Sequence, residues 1–256
     1  MRVLSKILVL PILLALVIHC EDLERTNPLD PKNENSIRGE TVLIEAFVNE
    51  SGGDYITSSM NALQRLLGEY GDDSFVYLEH HIEKTSGTDP WALDASLSRY
   101  LALEPMQSAQ AIPDVWFNGD PDTRVQGASD AETAYQRYKP VLEAGLARQC
   151  HFTIEPAATI QGNRIHVSGE IARLGASRVQ DITIVVAVLE RVTTVRNIVR
   201  AWVPAKTIGE LDAGEITSFE RDIDIQSDWD DNRMDVVVII QNSVNLLVYQ
   251  CENVIL

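Results

Sequence analysis

Ala111–Gly119 reads AIPDVWFNG, a proline set immediately before a short apolar run of strand length. A peptide bond to proline adopts the cis form at little cost, so Ile112-Pro113 has two readings: a cis turn, or a proline that simply starts a strand. The turn Gly119-Asp120-Pro121-Asp122 then leads into Thr123–Gly127, which predicts a hairpin. Upstream, Thr41–Asn49 (TVLIEAFVN) is an apolar run of strand length, and Thr57–Tyr70 carries Met60, Leu63, Leu66 and Leu67 at helical spacing. Ser74–Ile82 (SFVYLEHHI) predicts a second strand, and Pro90–Leu103 a helix opened by Asp89. Downstream, Ser129–Gly145 places Ala134, Tyr135, Tyr138, Val141 and Leu142 on one helical face. Residues 40–147 thus predict the order β-α-β-α-β-β-α.

That order, with Ile112-Pro113 before its third strand, resembles the thioredoxin fold. The resemblance implies a cis-proline loop at Ile112 and Pro113 facing an active-site loop between the first strand and first helix. A thioredoxin centre needs two cysteines in C-x-x-C spacing there, where the helix dipole lowers a thiol pKa. The segment is instead Asn49-Glu50-Ser51-Gly52-Gly53-Asp54-Tyr55-Ile56-Thr57-Ser58-Ser59, without sulfur. Thiol–disulfide exchange requires a sulfur that can be attacked and can leave, so Gly52, Gly53, Asp54, Tyr55 and Ile56 form a degenerate loop. Ser58 and Ser59 lack a nearby histidine base and read as helix-start residues. Asp54 and Tyr55 offer a recognition surface beside the proline loop.

Residues 148–256 change character. Cys150–Glu155, Arg164–Arg173, Gln180–Arg191, Ile198–Val203, Ile216–Ile225, Met234–Gln241 and Leu246–Ile255 are strand-like runs rich in β-branched residues, separated by turn signals such as Gln161-Gly162-Asn163 and Leu211-Asp212-Ala213-Gly214. Short strands at regular spacing predict an antiparallel, immunoglobulin-like β-sandwich. The fold class expected for the whole is an α/β thioredoxin-like domain followed by this all-β domain.

The amino terminus sets the compartment. Arg2 and Lys6, an apolar stretch from Ile7 to Ile18 and His19 precede Cys20, after which the sequence turns polar at Glu21 and Asp22. A membrane span needs roughly 20 apolar residues, so 1–19 reads as an export signal. Leu16-Val17-Ile18-His19-Cys20 resembles a bacterial lipobox with Cys20 as lipid acceptor, although His19 stands where a small residue is usual. Residues 20–39, with Asn27-Pro28-Leu29-Asp30-Pro31, read as an extended tether. Losing Arg2 and Lys6 takes the formal charge from −17 to −19, a surface that repels phosphate backbones and excludes nucleic acid as a partner.

Leader, α/β domain and sandwich together resemble the twenty-eight-kilodalton outer-membrane protein family of bacterial envelope lipoproteins. The likeness rests on TVLIEAFVN with NALQRLLGEYGD, AIPDVWFNG, IVRAWVP and VVVIIQNSVNLLVYQ. It implies architecture and an outer-membrane location, and the missing C-x-x-C separates this chain from members with an oxidoreductase motif. Cys150 and Cys251 remain: a disulfide, two buried free thiols or a redox-active pair. Asp228–Asp235 carries oxygen donors but no EF-hand glycine or terminal glutamate, and His80-His81-x-Glu83 places its imidazoles on opposite strand faces, so neither predicts a metal site. The expectation is a membrane-tethered binding or structural module, without cofactor, whose partner is an envelope protein or peptide. The competing expectation is a thiol–disulfide oxidoreductase or redox accessory using Cys150 and Cys251.

Overall fold

A computed structural model describes residues 30, 33, 36 and 38–256, apart from 72, 84–88, 128, 176 and 194–195. The signal 1–19, Cys20 and most of the tether lie outside the described residues. The tether's end is not a free leash: Ser36 is buried, and β1 (Arg38–Gly39) pairs antiparallel with β6 (Gln149–Cys150).

β2 (Val42–Val48) leads through a 3-10 turn, Glu50–Gly52, into α1 (Gly53–Tyr70), followed by β3 (Phe75–His81) and α2 (Asp94–Leu103). β4 (Asp114–Phe117), β5 (Val125–Gln126) and α3 (Ala131–Leu146) complete the α/β part. β3 runs parallel to β2, β4 antiparallel to β2 and β5 antiparallel to β4, so these strands stand in the order β3-β2-β4-β5. The Ile112–Pro113 peptide bond, just before β4, is cis. Every residue of β2 and β3 is buried because helices or further strands cover both faces, so these strands are largely apolar, and their polar members, Glu45, Glu79, His80 and His81, are buried with them. Val42, Ile44, Ala46 and Val48 face α1 and α3, meeting Leu63, Leu66, Tyr138 and Leu142. Phe47 faces the other way, with Tyr100 of α2 and Trp116.

Helix α2 begins four residues later than Pro90 predicts. Asp89 is not its cap; its carboxylate instead accepts from the amides of Glu50 and Trp91. α3 does open on a side-chain cap, Asp130 Oδ1 accepting from Thr133 N at 2.7 Å.

The remaining strands are β7 (Phe152–Gln161), β8 (Arg164–Arg173), β9 (Val179–Thr193), β10 (Arg196–Leu211), β11 (Ile216–Asp224), β12 (Met234–Asn242) and β13 (Val248–Ile255). They form a β-sandwich, β11-β8-β7 against β13-β12-β9-β10. Ile165, Val167 and Phe219 of one sheet interlock with Ile184, Val186, Val236 and Val238 of the other.

The larger sandwich sheet does not end at β10. Ile198 pairs parallel with Glu79 of β3, producing one eight-stranded sheet, β13-β12-β9-β10-β3-β2-β4-β5, through both parts of the chain. Its β13 edge folds back toward β2 and β4: Val248 N donates to the Asn118 carbonyl at 2.8 Å and Thr41 N to Gln250 Oε1 at 2.8 Å. Gly119 is required there, since at φ 64° any Cβ would also strike the Leu246 carbonyl. A shared apolar layer fills the space between, Leu43, Val76 and Leu78 meeting Val185, Leu189, Val237 and Ile239.

Candidate functional site

The loop that opens α1 holds Gly52 in the 3-10 turn, Gly53 at φ 61°, Asp54 in the first helical turn and Tyr55 on the surface, 60% exposed. Asn49 shapes the turn, its Oδ1 accepting from Ser51 N at 2.8 Å while its Nδ2 donates to the Ile82 carbonyl. Ser59 is buried with its Oγ 2.6 Å from Tyr138 OH, a structural pair rather than a nucleophile with a base.

Beside this loop, at the end of β3, lies a polar cluster. Alternation puts Tyr77, Glu79 and His81 on one face of the strand. His81 bridges two carboxylates, Nε2 at 2.9 Å from Glu79 Oε1 and Nδ1 at 2.8 Å from Asp89 Oδ2. Arg196, at the start of β10, donates from Nε to Glu79 Oε1 at 3.0 Å and from Nη2 to Glu50 Oε1 at 2.7 Å. Burial disfavours the imidazolium of His81, but Glu79 and Asp89 outweigh it and raise its pKa above 6.5. Burial likewise opposes ionisation of Glu79, and His81 and Arg196 overcome it to hold its carboxyl below the usual value. Glu50, Glu79 and His81 place one ligand atom each within 4.8 Å of one another, a donor set with metal-binding chemistry. The Arg196 guanidinium stands among these donors and supplies the positive charge a metal would bring.

The raised His81 pKa has a defined sign. A basic group whose folded pKa exceeds its unfolded value adds stability that is complete below the unfolded pKa, here 6.5, and disappears as pH rises through the folded one. His81→Gln is therefore expected to lower Tm most below pH 6.5, with the gap to wild type closing at alkaline pH. Parallel Tm curves from pH 5.5 to 9 would show that His81 carries no such charge.

On the opposite face of β3 lies His80. Its Nδ1 is 3.1 Å from Ser96 Oγ, and its ring stacks on Phe47 and meets Trp202 edge-on. Its Nε2 stands 3.3 Å from Glu45 Oε1 without hydrogen-bond geometry. Burial dominates there and pushes the His80 pKa down, favouring the neutral ring. Glu45 is held by Arg99 in a two-pronged pair, Nε–Oε1 2.9 Å and Nη2–Oε2 2.8 Å, with neither side chain more than 2% exposed. His80 and His81 do face apart, as alternation predicts. The acid that meets His81 within the strand is Glu79, two residues before it on the same face, and not Glu83.

Three of the four acids of 228–235 are matched to an arginine, Asp228 to Arg200, Asp230 to Arg233 and Asp235 to Arg191, and Asp231 accepts from the Asn232 side-chain amide. Cys150 and Cys251 are both free and buried. Cys150 belongs to the inter-sheet core of the sandwich, and Cys251, opposite Ile239, to the shared layer on the other face of the sheet. Burial pushes the Cys150 thiol up to about 12 and the Cys251 thiol well above its ordinary value.

No protein-family model and no curated protein matches the chain. Among solved structures, a structural-genomics protein of Agrobacterium tumefaciens is similar over 85% of this chain and 95% of its own, at 15% identity and a TM-score of 0.53. HBP35 of Porphyromonas gingivalis is similar over 84% of this chain and 74% of its own, at 9% identity and a TM-score of 0.57. At these identities the likeness is one of fold. A domain of the outer membrane lipoprotein Omp28 from Porphyromonas gingivalis aligns with 41% of this chain and 87% of itself, at 15% identity and a TM-score of 0.32. Among the described residues, no helix is long and apolar enough to cross a membrane.

Proposed function

We propose that this chain is a redox-silent binding or structural protein of the bacterial envelope, tethered through a lipid on Cys20. In this reading residues 40–147 are a thioredoxin-like unit and 148–256 an immunoglobulin-like sandwich. The strand order β3-β2-β4-β5 and the cis bond before β4 support the first assignment. The seven-strand division into β11-β8-β7 and β13-β12-β9-β10 supports the second. Envelope location and the anchor rest on residues 1–20, and the protein or peptide partner is assigned to the exposed Asp54–Tyr55 loop.

The observation that carries the proposal is chemical. The start of α1 carries Gly52-Gly53-Asp54-Tyr55 where exchange chemistry needs thiols, and both cysteines of the folded part are buried with pKa values driven upward. The folded protein is expected to reduce insulin no faster than background. Cys150 and Cys251 are expected to react with iodoacetamide only after denaturation, read by intact mass. Rapid alkylation of either thiol near neutral pH, or insulin turnover, would overturn the redox-silent reading. For the loop, Asp54→Ala and Tyr55→Ala are expected to remove captured envelope partners, and unchanged capture would remove the loop from the proposal.

A further inference from the structure

Three of the chain's four tryptophans stand together on the α2 side of the sheet, away from the loop that opens α1. Trp91 comes from the segment before α2, Trp202 from β10 and Trp229 from the connection between β11 and β12. They line two adjoining hollows of about 190 and 470 Å³ that share Leu93, Arg200, Gln226 and Trp229. The larger falls within the roughly 300–1,000 Å³ of small-molecule sites.

Arg200 organises the floor. It is buried, bonded to Asp228 and 3.3 Å from Glu190, and its guanidinium carbon lies 5.2 Å from the Trp91 ring centre and 5.7 Å from that of Trp229. A cation thus already serves both indoles, which leaves little for a cationic ligand to gain there. The acids around the cleft are also matched: Asp222 lies 2.7 Å from His166 Nδ1, Asp224 accepts from Arg164 Nε at 2.7 Å, and Asp228 pairs with Arg200. Arg221 lines the larger hollow beside Arg200, so a cationic ligand meets two guanidinium groups and an anionic one meets the carboxylates of Asp222, Asp224 and Asp228. The cleft therefore favours a neutral molecule.

What it offers such a molecule is indole surface next to the exposed carboxylates and amide of Asp222, Asp224, Gln226 and Asp228. Indole rewards an apolar face, and planar polar groups reward hydroxyls held at the edge of a ring. A pyranose combines the two, with C–H groups across its faces and hydroxyls around its rim. We propose that this cleft binds a neutral saccharide, its ring against Trp229 and its hydroxyls on Gln226 and Asp228. The proposal stands independently of the reading of the α1 loop, since neither its residues nor its chemistry involve that loop.

Isothermal titration of the full chain with maltohexaose, xylohexaose, cellohexaose and mannohexaose tests it, with choline chloride and sodium sulfate as charged probes. At least one hexasaccharide is expected to give saturable heat at millimolar or lower concentration. Trp229→Ala is expected to weaken that binding roughly tenfold, the loss of one stacked contact. If Trp229→Ala does not fold, Trp229→Phe and the rim variant Gln226→Ala serve, each expected to weaken binding severalfold. Heat from none of the four sugars, equal affinity in the folded variants, or binding of choline or sulfate in their place would overturn the proposal.

Discussion

Arg99→Ala is expected to cost about 3–5 kcal/mol of stability, because it strands the Glu45 carboxylate in the interior. Glu45 lies on β2 with its side chain fully buried, and Arg99 of α2 satisfies both of its oxygens. Burial opposes the charge of Glu45, and the Arg99 guanidinium overcomes it, holding the pKa at about 2. An acid depressed in this way adds stability that is complete above its unfolded pKa of 4.5 and is lost as pH falls toward 2. The penalty of Arg99→Ala should therefore narrow as pH falls from 4.5. Replacing both partners with apolar residues, Glu45→Leu with Arg99→Met, is expected to recover most of the loss, since the pair also carries a large desolvation cost. Urea unfolding followed by circular dichroism measures all three, and an Arg99→Ala cost under about 1 kcal/mol would place this pair in the weak class of exposed ion pairs.

The pattern that makes such a pair readable in sequence is limited. β8 was legible to the residue, Arg164–Arg173, because its apolar positions recur between clear turns at Gly162-Asn163 and beyond Arg173. β10 was legible only as Ile198–Val203 and runs in fact from Arg196 to Leu211. Pro204, Lys206 and Gly209 look like a break, but beyond Val203 β10 is a sheet edge paired only with β9, where a proline is tolerated and a register shift between Pro204 and Lys206 absorbs it. In the polar cluster, Glu79 and His81 share a face by simple alternation, a signal that the adjacency of His80 and His81 obscured. Arg196 is 117 residues from Glu79, and nothing local marks β10 as the strand that sits beside β3. The aromatic cleft has the same origin, three tryptophans from distant segments assembled only by the joined sheet. Contacts within an element follow from its period, whereas contacts between elements follow from topology.

Ile239→Ala is expected to cost about 2–5 kcal/mol, and its effect tests whether that joined sheet makes one cooperative body. Ile239 is fully buried on β12, in the layer where sandwich residues meet Leu43, Val76 and Leu78 of the α/β part. Leu63 of α1 is equally buried, but in the core between the helices and β2, which the sandwich does not enter. If the two parts unfold independently, Leu63→Ala shifts one calorimetric transition and leaves a second in place. If the shared layer and the pairing of Ile198 with Glu79 couple them, wild type gives one endotherm, and Leu63→Ala and Ile239→Ala each move the whole of it. The second result is expected, because separation would expose apolar residues of both parts and strip Glu79 of Arg196. In a coupled body, a ligand in the tryptophan cleft or a partner at the Tyr55 loop raises the same single transition by mass action, whichever part it touches.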